Sequence, residues 1–189
     1  MKFCSQCGSA ALELRVPPGD TLPRFVCSKC GTIHYQNPKV VVGCLPVWQE
    51  RVLLCRRAID PRKGLWTLPA GFLENGETIF AGAARETTEE ARARVEVGPL
   101  YTVISLPHIS QIYVMFRARL LDLDFAPGPE SLEVRLFDED EVPWSELAFR
   151  TITRTLRNFF LDRKLGAFPT RVSALERRAP RDPALLGAG

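Results

Sequence analysis

Residues 71–93, GFLENGETIFAGAARETTEEARA, constrain this chain more than any other stretch. From residue 78 to 94 there is no proline, and Ala, Glu and Arg dominate, so the run is expected to be helical. Thr78 is placed to cap its start, and Glu77 stands near the positive end of the helix dipole. On such a helix Glu86, Glu89 and Glu90 fall at i, i+3 and i+4, so their carboxylates share one face. Like charges at this spacing destabilise a bare helix by about 0.2–0.5 kcal/mol per pair. A fold that keeps all three needs a counter-ion. A hard divalent cation such as Mg2+ prefers oxygen ligands, and carboxylate-held Mg2+ is usually shared with phosphates. The segment therefore points to a metal site that handles phosphate.

Four cysteines point to a second metal. Cys4 and Cys7 form one C-x2-C pair, Cys27 and Cys30 another. Each pair is followed by a glycine, Gly8 or Gly31, which allows a tight turn beneath a metal. Two such turns about twenty residues apart match the tetrahedral Cys4 site of a zinc ribbon. His34 lies four residues past Cys30, but four thiols already saturate the site. The N-terminus lacks the apolar stretch of a signal peptide, and no apolar run reaches the ~20 residues of a bilayer span. The chain is therefore expected to be cytoplasmic, where disulfides are rare. That leaves Cys44 and Cys55, in apolar runs, as buried free thiols. A net charge of +3, with scattered basic residues, does not argue for nucleic acid.

The 189 residues suffice for one core and a small extra module. Residues 1–35 read as the ribbon, whose folding energy must come largely from bound metal. Residues 39–48 read as a buried strand and 51–57 as its hairpin partner across Gln49-Glu50. Residues 66–69 read as a short extended piece and 71–76 as a loop. Strands are expected at 95–106, 109–123 and 134–137, with a loop at 126–133. A second helix over 144–164 carries an apolar stripe of Leu147, Ile152, Leu156, Phe159 and Phe160. Residues 36–165 thus read as one domain. From 166 to 189 Pro, Arg, Ala and Gly dominate, periodicity is lost, and a flexible tail is expected.

The spacing Gly71, Glu77, Arg85, Glu86, Glu89, Glu90 resembles the Nudix box, the loop–helix–loop motif of the Nudix hydrolases. Two positions depart from the family pattern: Thr87 stands where an aliphatic residue is preferred, and Arg92 where glycine is. The resemblance implies an α/β/α sandwich around a mixed sheet. It implies that Glu86 and Glu90 are the main ligands of Mg2+ or Mn2+. Glu89 is then a further ligand, directly or through water, or the base, and the Gly71 carbonyl a further contact. Glu77 and Arg85 become a structural pair that locks the loop to the helix.

A zinc ribbon directly before such a domain, joined by CGTIHYQNP, is similar to the ribbon-bearing Nudix enzymes. These include NADH pyrophosphatases and a group that hydrolyses FAD and ADP-ribose. The segment SLPHISQIYVMFRARL lacks the Pro-Trp-Pro element of the former. The run ESLEVRLFDEDEVPWSELAFRT matches the latter, and implies that Glu130, with Glu133 as the alternative, completes the metal site or acts as base. The expected reaction is hydrolysis of a pyrophosphate in FAD or ADP-ribose, with NADH or a capped RNA end as alternatives. The partner is a small dinucleotide, and homodimers are common in the family. Arg56 and Arg57 end a strand near the loop and are candidates for substrate phosphates. Phe72 and Tyr113, with Tyr35, Phe116 and Phe137, are candidates for stacking on a base. His108 reads as a loop residue. The rival reading is a nucleic-acid-binding or ligand-sensing module. The ribbon lacks the basic stripe with interleaved aromatics that such binding needs.

Overall fold

Turns after each cysteine pair close as the sequence demands. The Gly8 amide donates to the Cys4 carbonyl at 2.9 Å, and the Gly31 amide to the Cys27 carbonyl at 2.8 Å. The computed structural model describes residues 1–177. The chain falls into two units, Met1–Pro38 and the remainder from Lys39 onward. In the first, strands β1 (Leu12–Arg15), β2 (Arg24–Cys27) and β3 (Ile33–His34) form an antiparallel sheet in that order. Its buried apolar residues are few, chiefly Val26, Cys4 and Cys27. A core this small needs a metal to stabilise it.

In the second unit the apolar, β-branched run at 39–48 becomes β4 (Lys39–Trp48), pairing antiparallel with β5 (Arg51–Arg57). Short strands β6 (Trp66–Thr67) and β7 (Ala70–Phe72) pair with β5 and β4 respectively. Helix α1 (Ile79–Ala91) follows, then β8 (Val95–Leu106), β9 (Gln111–Leu120), β10 (Ser131–Phe137), α2 (Arg150–Leu165) and β11 (Arg171–Ala174). Among the described residues the main sheet runs β10-β5-β4-β9-β8-β11. The β4–β9 and β8–β11 pairs are parallel and the others antiparallel, so the sheet is mixed.

Each face of the sheet is covered. Val42, Cys44, Phe116 and Ala118 pack with Ala83 of α1 on one side. Ile152, Leu156, Phe159 and Phe160 of α2 join Leu45, Leu54, Tyr101 and Met115 in the larger cluster. This is the expected α/β/α sandwich. Cys44 and Cys55 are buried thiols, as their surroundings foretold, and burial pushes the Cys44 thiol up to about 11. Among the described residues no helix is long and apolar enough to cross a membrane.

Several boundaries differ from expectation. The helix expected from 144 begins at Arg150, because Trp144–Glu146 form a separate 3-10 turn and Leu147 and Phe149 are extended, so Leu147 of the expected stripe precedes the helix. The strand expected over 109–123 runs Gln111–Leu120, since Pro107–Ile109 form a turn that Ser110 closes in the left-handed conformation. The stretch expected as a loop from residue 71 begins inside β7, because a three-residue strand leaves no period to detect. Strand β10 starts at Ser131, three residues before the expected 134. The segment expected to be flexible from 166 forms β11, parallel to β8. It is held by Arg171, whose guanidinium forms a two-pronged pair with the buried Asp162 carboxylate of α2. That ion pair joins two elements across nine residues, and no periodicity within either reveals it. The rest of that expected tail, residues 178–189, lies outside the described residues.

Candidate active site

The helix that carries the carboxylates is fixed at both ends. Thr78 caps α1 with its hydroxyl, accepting from the Ala81 amide at 3.1 Å. At the other end Arg92 takes the left-handed conformation, φ 49°, and its amide donates to the Thr88 carbonyl. Thr87 is fully buried and its hydroxyl donates to the Ala83 carbonyl at 2.8 Å, so it fits an aliphatic environment without an orphaned polar atom.

Arg85 organises the motif. It donates to both oxygens of Glu77, to the Phe72 carbonyl at 3.1 Å, to Glu86 at 2.8 Å and to Glu89 at 2.9 Å. Glu77 also accepts from the Glu74 amide at 2.7 Å, so the loop before α1 is tied to the helix at two points. The Arg85 hydrogen bonds, followed by that of Glu74, hold the Glu77 carboxyl down at about 2.

Glu86, Glu89 and Glu90 face a cleft of about 980 Å³, with Glu130 also on its lining. Glu90 is only 6% exposed and its Oε2 has no hydrogen-bond partner. Burial first, then the neighbouring Glu86, pushes its carboxyl up to about 8. Burial likewise raises Glu86, against the pull of Arg85. Gly71 lines the same cleft, and a Cβ there would overlap the Glu86 carboxylate. Oxygen donors converge here from α1, β7 and the loop before β10. One of them is buried without a partner. That donor set fits a hard divalent cation.

Glu130 is carried by a loop latched to the end of α1. The Gly128 amide donates to the Glu90 carbonyl at 3.0 Å and the Ala126 amide to the Ala91 carbonyl at 3.0 Å. A side chain at Gly128 would overlap the Glu89 backbone. Glu133 is placed differently. It lies on β10 opposite Arg56, 3.8 Å from its guanidinium, outside the cleft lining. Arg56 also donates to the Gly64 carbonyl, so this arginine too is turned away from the cleft.

Arg57, Phe72 and Tyr113 do line the cleft. Arg57 donates to the Pro61 carbonyl at 2.9 Å and lies 5.2 Å from the centre of the Phe149 ring. Phe72 is exposed, with the Lys39 ammonium 4.8 Å from its ring centre. Phe116 and Phe137 are core, and Tyr35 belongs to the first unit, beside Arg24. His108 lines the cleft from the turn between β8 and β9. Sequence reasoning missed Gln111, Phe149, Arg150 and Thr151, which share the lining. Only tertiary structure brings the start of α2 to the cleft.

In the first unit, the four sulfurs of Cys4, Cys7, Cys27 and Cys30 all lie within 4.8 Å of one another. The Cys4–Cys30 and Cys7–Cys27 separations are 3.7 Å. Four thiolates 2.3 Å from a tetrahedral Zn2+ stand about 3.8 Å apart, close to those two separations, so the cluster fits zinc. His34 is not a fifth ligand; its Nε2 lies 3.3 Å from the Cys4 sulfur and supports it. The Thr32 hydroxyl, 3.1 Å from the Cys30 sulfur, holds that thiol below its usual range.

The pattern of the Nudix N-terminal zinc ribbon matches residues 2–36, and that of the NUDIX domain matches residues 37–159. A solved structure of a NUDIX hydrolase from Nitrosomonas europaea is 61% identical, covers 94% of this chain and all of its own, and superposes with a TM-score of 0.90. Among curated proteins, an NAD-capped RNA hydrolase NudC from Stutzerimonas stutzeri is 29% identical over 87% of this chain, which spans 58% of that protein's length. An ADP-ribose pyrophosphatase from Methanocaldococcus jannaschii is 31% identical over 61% of this chain and 69% of its own. With its carboxylate helix, mixed sheet and four-cysteine cluster, the chain belongs to the Nudix hydrolase family and carries that family's N-terminal zinc ribbon.

Proposed function

We propose that this chain hydrolyses the pyrophosphate of a nucleoside diphosphate joined to a second moiety, using Mg2+ or Mn2+. One observation carries the reading: Glu90 is buried in a cleft among like charges, with a carboxylate oxygen that nothing satisfies. Such a group is costly unless a cation belongs there. Glu86 and Glu90 would hold it, with Glu130, Glu89 and the Gly71 carbonyl beside them. When bound, the cation neutralises phosphoryl oxygens and lowers the pKa of water. The residues supply the rest. Arg85 fixes Glu86 and Glu89 in place. Glu130 or Glu89 accepts the proton of the attacking water as its oxygen bonds to phosphorus. The opposite phosphoanhydride bond then breaks, leaving two phosphate monoesters.

ADP-ribose or FAD is the small-molecule substrate expected from the motifs. A dinucleotide at a capped RNA end is the second reading, because the NudC-type relative aligns over more of this chain than the ADP-ribose pyrophosphatase does. A panel of ADP-ribose, FAD, NADH and NAD-capped RNA, each with Mg2+ and Mn2+, tests this by product analysis. Cleavage at the pyrophosphate is expected, with AMP and ribose 5-phosphate from ADP-ribose. Full activity in Glu90→Gln would sink the assignment. The reading also carries a homodimer, checked by light scattering, and a reducing cytoplasm, which keeps zinc-binding thiols from pairing as disulfides.

A further inference from the structure

Helix α2 begins at the cleft. Phe149, Arg150 and Thr151, at its first turn, all line it. The first turn of a helix leaves amide groups without intrahelical partners and carries a partial positive charge. Those amides are usually capped by a side chain. Here the N-cap residue is Phe149, which provides no side-chain cap, and no acidic residue stands in the first turn. A second observation is independent of the helix end. Thr151 is 1% exposed, yet its hydroxyl has no hydrogen-bond partner. A buried, unpaired hydroxyl costs about 1–3 kcal/mol, so one on a cleft wall implies a partner that arrives with a ligand.

The charge of that partner follows from the neighbours. The Arg57 guanidinium lies against the Phe149 ring at 5.2 Å, and Phe149 is itself the residue that starts α2. The Pro61 carbonyl anchors the same guanidinium through Nε, at 2.9 Å. Arg150 adds a second positive charge, held by the Glu176 carbonyl at 2.8 Å. Glu86, Glu89, Glu90 and Glu130 lie on α1 and the loop before β10, whereas Arg57, Arg62 and Arg150 outnumber the one acidic side chain, Asp60, on the part of the lining around Pro61 and the start of α2. We propose that the α2 N-terminus, the Thr151 hydroxyl and the Arg57 guanidinium form an anion subsite for the substrate phosphoryl group turned away from the carboxylates. The subsite deepens the diphosphate-hydrolase reading and rests on it. The carboxylate wall, through its cation, takes one phosphoryl group. The α2 wall takes the other, so the anhydride bond is positioned between the two.

The test replaces Thr151 with Val, which keeps the shape and deletes the unpaired hydroxyl, and with Ser, which retains the hydroxyl. Melting temperatures of the zinc-loaded full chain are recorded without Mg2+ or Mn2+ and with increasing inorganic phosphate, a readout that needs neither the catalytic cation nor turnover. The Michaelis constant for ADP-ribose is then measured with Mg2+. Without phosphate, Thr151→Val should melt no lower than wild type, since it removes an unsatisfied buried group. It should lose most of the phosphate-dependent rise in melting temperature. Its KM should rise about tenfold with little change in kcat, the loss of one hydrogen bond to a charged group. Thr151→Ser should restore both. An equal phosphate response in wild type and Thr151→Val, with KM unchanged, overturns the subsite. Absence of turnover in wild type leaves the phosphate comparison intact and counts only against the hydrolase reading.

Discussion

Arg85 grips Glu77 with two parallel hydrogen bonds, Nε to Oε2 at 3.1 Å and Nη2 to Oε1 at 2.8 Å. The remaining guanidinium nitrogen reaches Glu86 and Glu89. One planar cation therefore sets the loop, the helix and two carboxylates together. A lysine keeps the charge but has no fork to divide among these partners. Arg85→Lys is expected to lower kcat about 10²-fold through misplaced carboxylates, with a loss of about 1–3 kcal/mol in unfolding free energy. Denaturant melts and steady-state kinetics on the same preparation check both, and unchanged kcat would refute the organising role.

Arg92 occupies the left-handed C-cap of α1 at φ 49°, where the family pattern places glycine. A side chain there costs roughly 1 kcal/mol in backbone strain. Arg92→Gly is therefore expected to stabilise the chain by about 0.5–1 kcal/mol with activity unchanged. Thermal unfolding decides the sign, and a lower melting temperature counts against the strain argument.

Both departures from the motif thus have local physical accounts, and neither disturbs the carboxylates. The motif was legible because Glu86, Glu89 and Glu90 lie within five residues on one helix, where spacing is geometry. The cysteine turns were legible for the same reason. What escaped depends on contacts between elements. The resemblance favoured Glu130 with Glu133 as the alternative, but nothing in their spacing separates the two. The latch of Gly128 onto Glu90 and the pairing of β10 with β5 put Glu130 on the cleft and Glu133 against Arg56. Strand β11 depends on Arg171 meeting Asp162, and the cleft wall depends on where the sheet delivers the start of α2. No periodicity within either segment encodes those meetings.

Asp162 is fully buried, accepts from the Tyr101 hydroxyl at 2.7 Å and pairs with Arg171. The Arg171 hydrogen bonds hold its carboxyl below the ordinary range. A carboxyl depressed in the folded state contributes stability above its unfolded pKa, near 3.9, and loses it as pH falls through the folded value. Asp162→Asn is expected to cost about 2 kcal/mol at pH 7. That is less than the 3–5 of a fully buried broken pair, because Arg171 stays 35% exposed. The cost should shrink as pH falls below about 4. Urea melts of both proteins at pH 7 and pH 3 check the pattern, and a pH-independent difference would refute it.

Glu90 shows the opposite sign, since its folded carboxyl is raised to about 8 without metal. Below about pH 4 it is protonated in both the folded and unfolded chain and costs nothing. As pH rises the unfolded chain ionises first, so the folded state holds more protons and stability falls until the folded carboxyl titrates near 8. Glu90→Gln removes this penalty. The metal-free variant is expected to be more stable than wild type by roughly 2–4 kcal/mol at pH 7, with the gap closing at pH 4. Added Mg2+ should stabilise wild type, by binding the folded state alone, and leave the variant nearly unmoved. The same variant should lose turnover. A site built for a cation must destabilise the protein that lacks one, so a variant that is inactive, unresponsive to Mg2+ and more stable at neutral pH identifies Glu90 as a metal ligand. One that is inactive and less stable at both pH values identifies it as a structural residue.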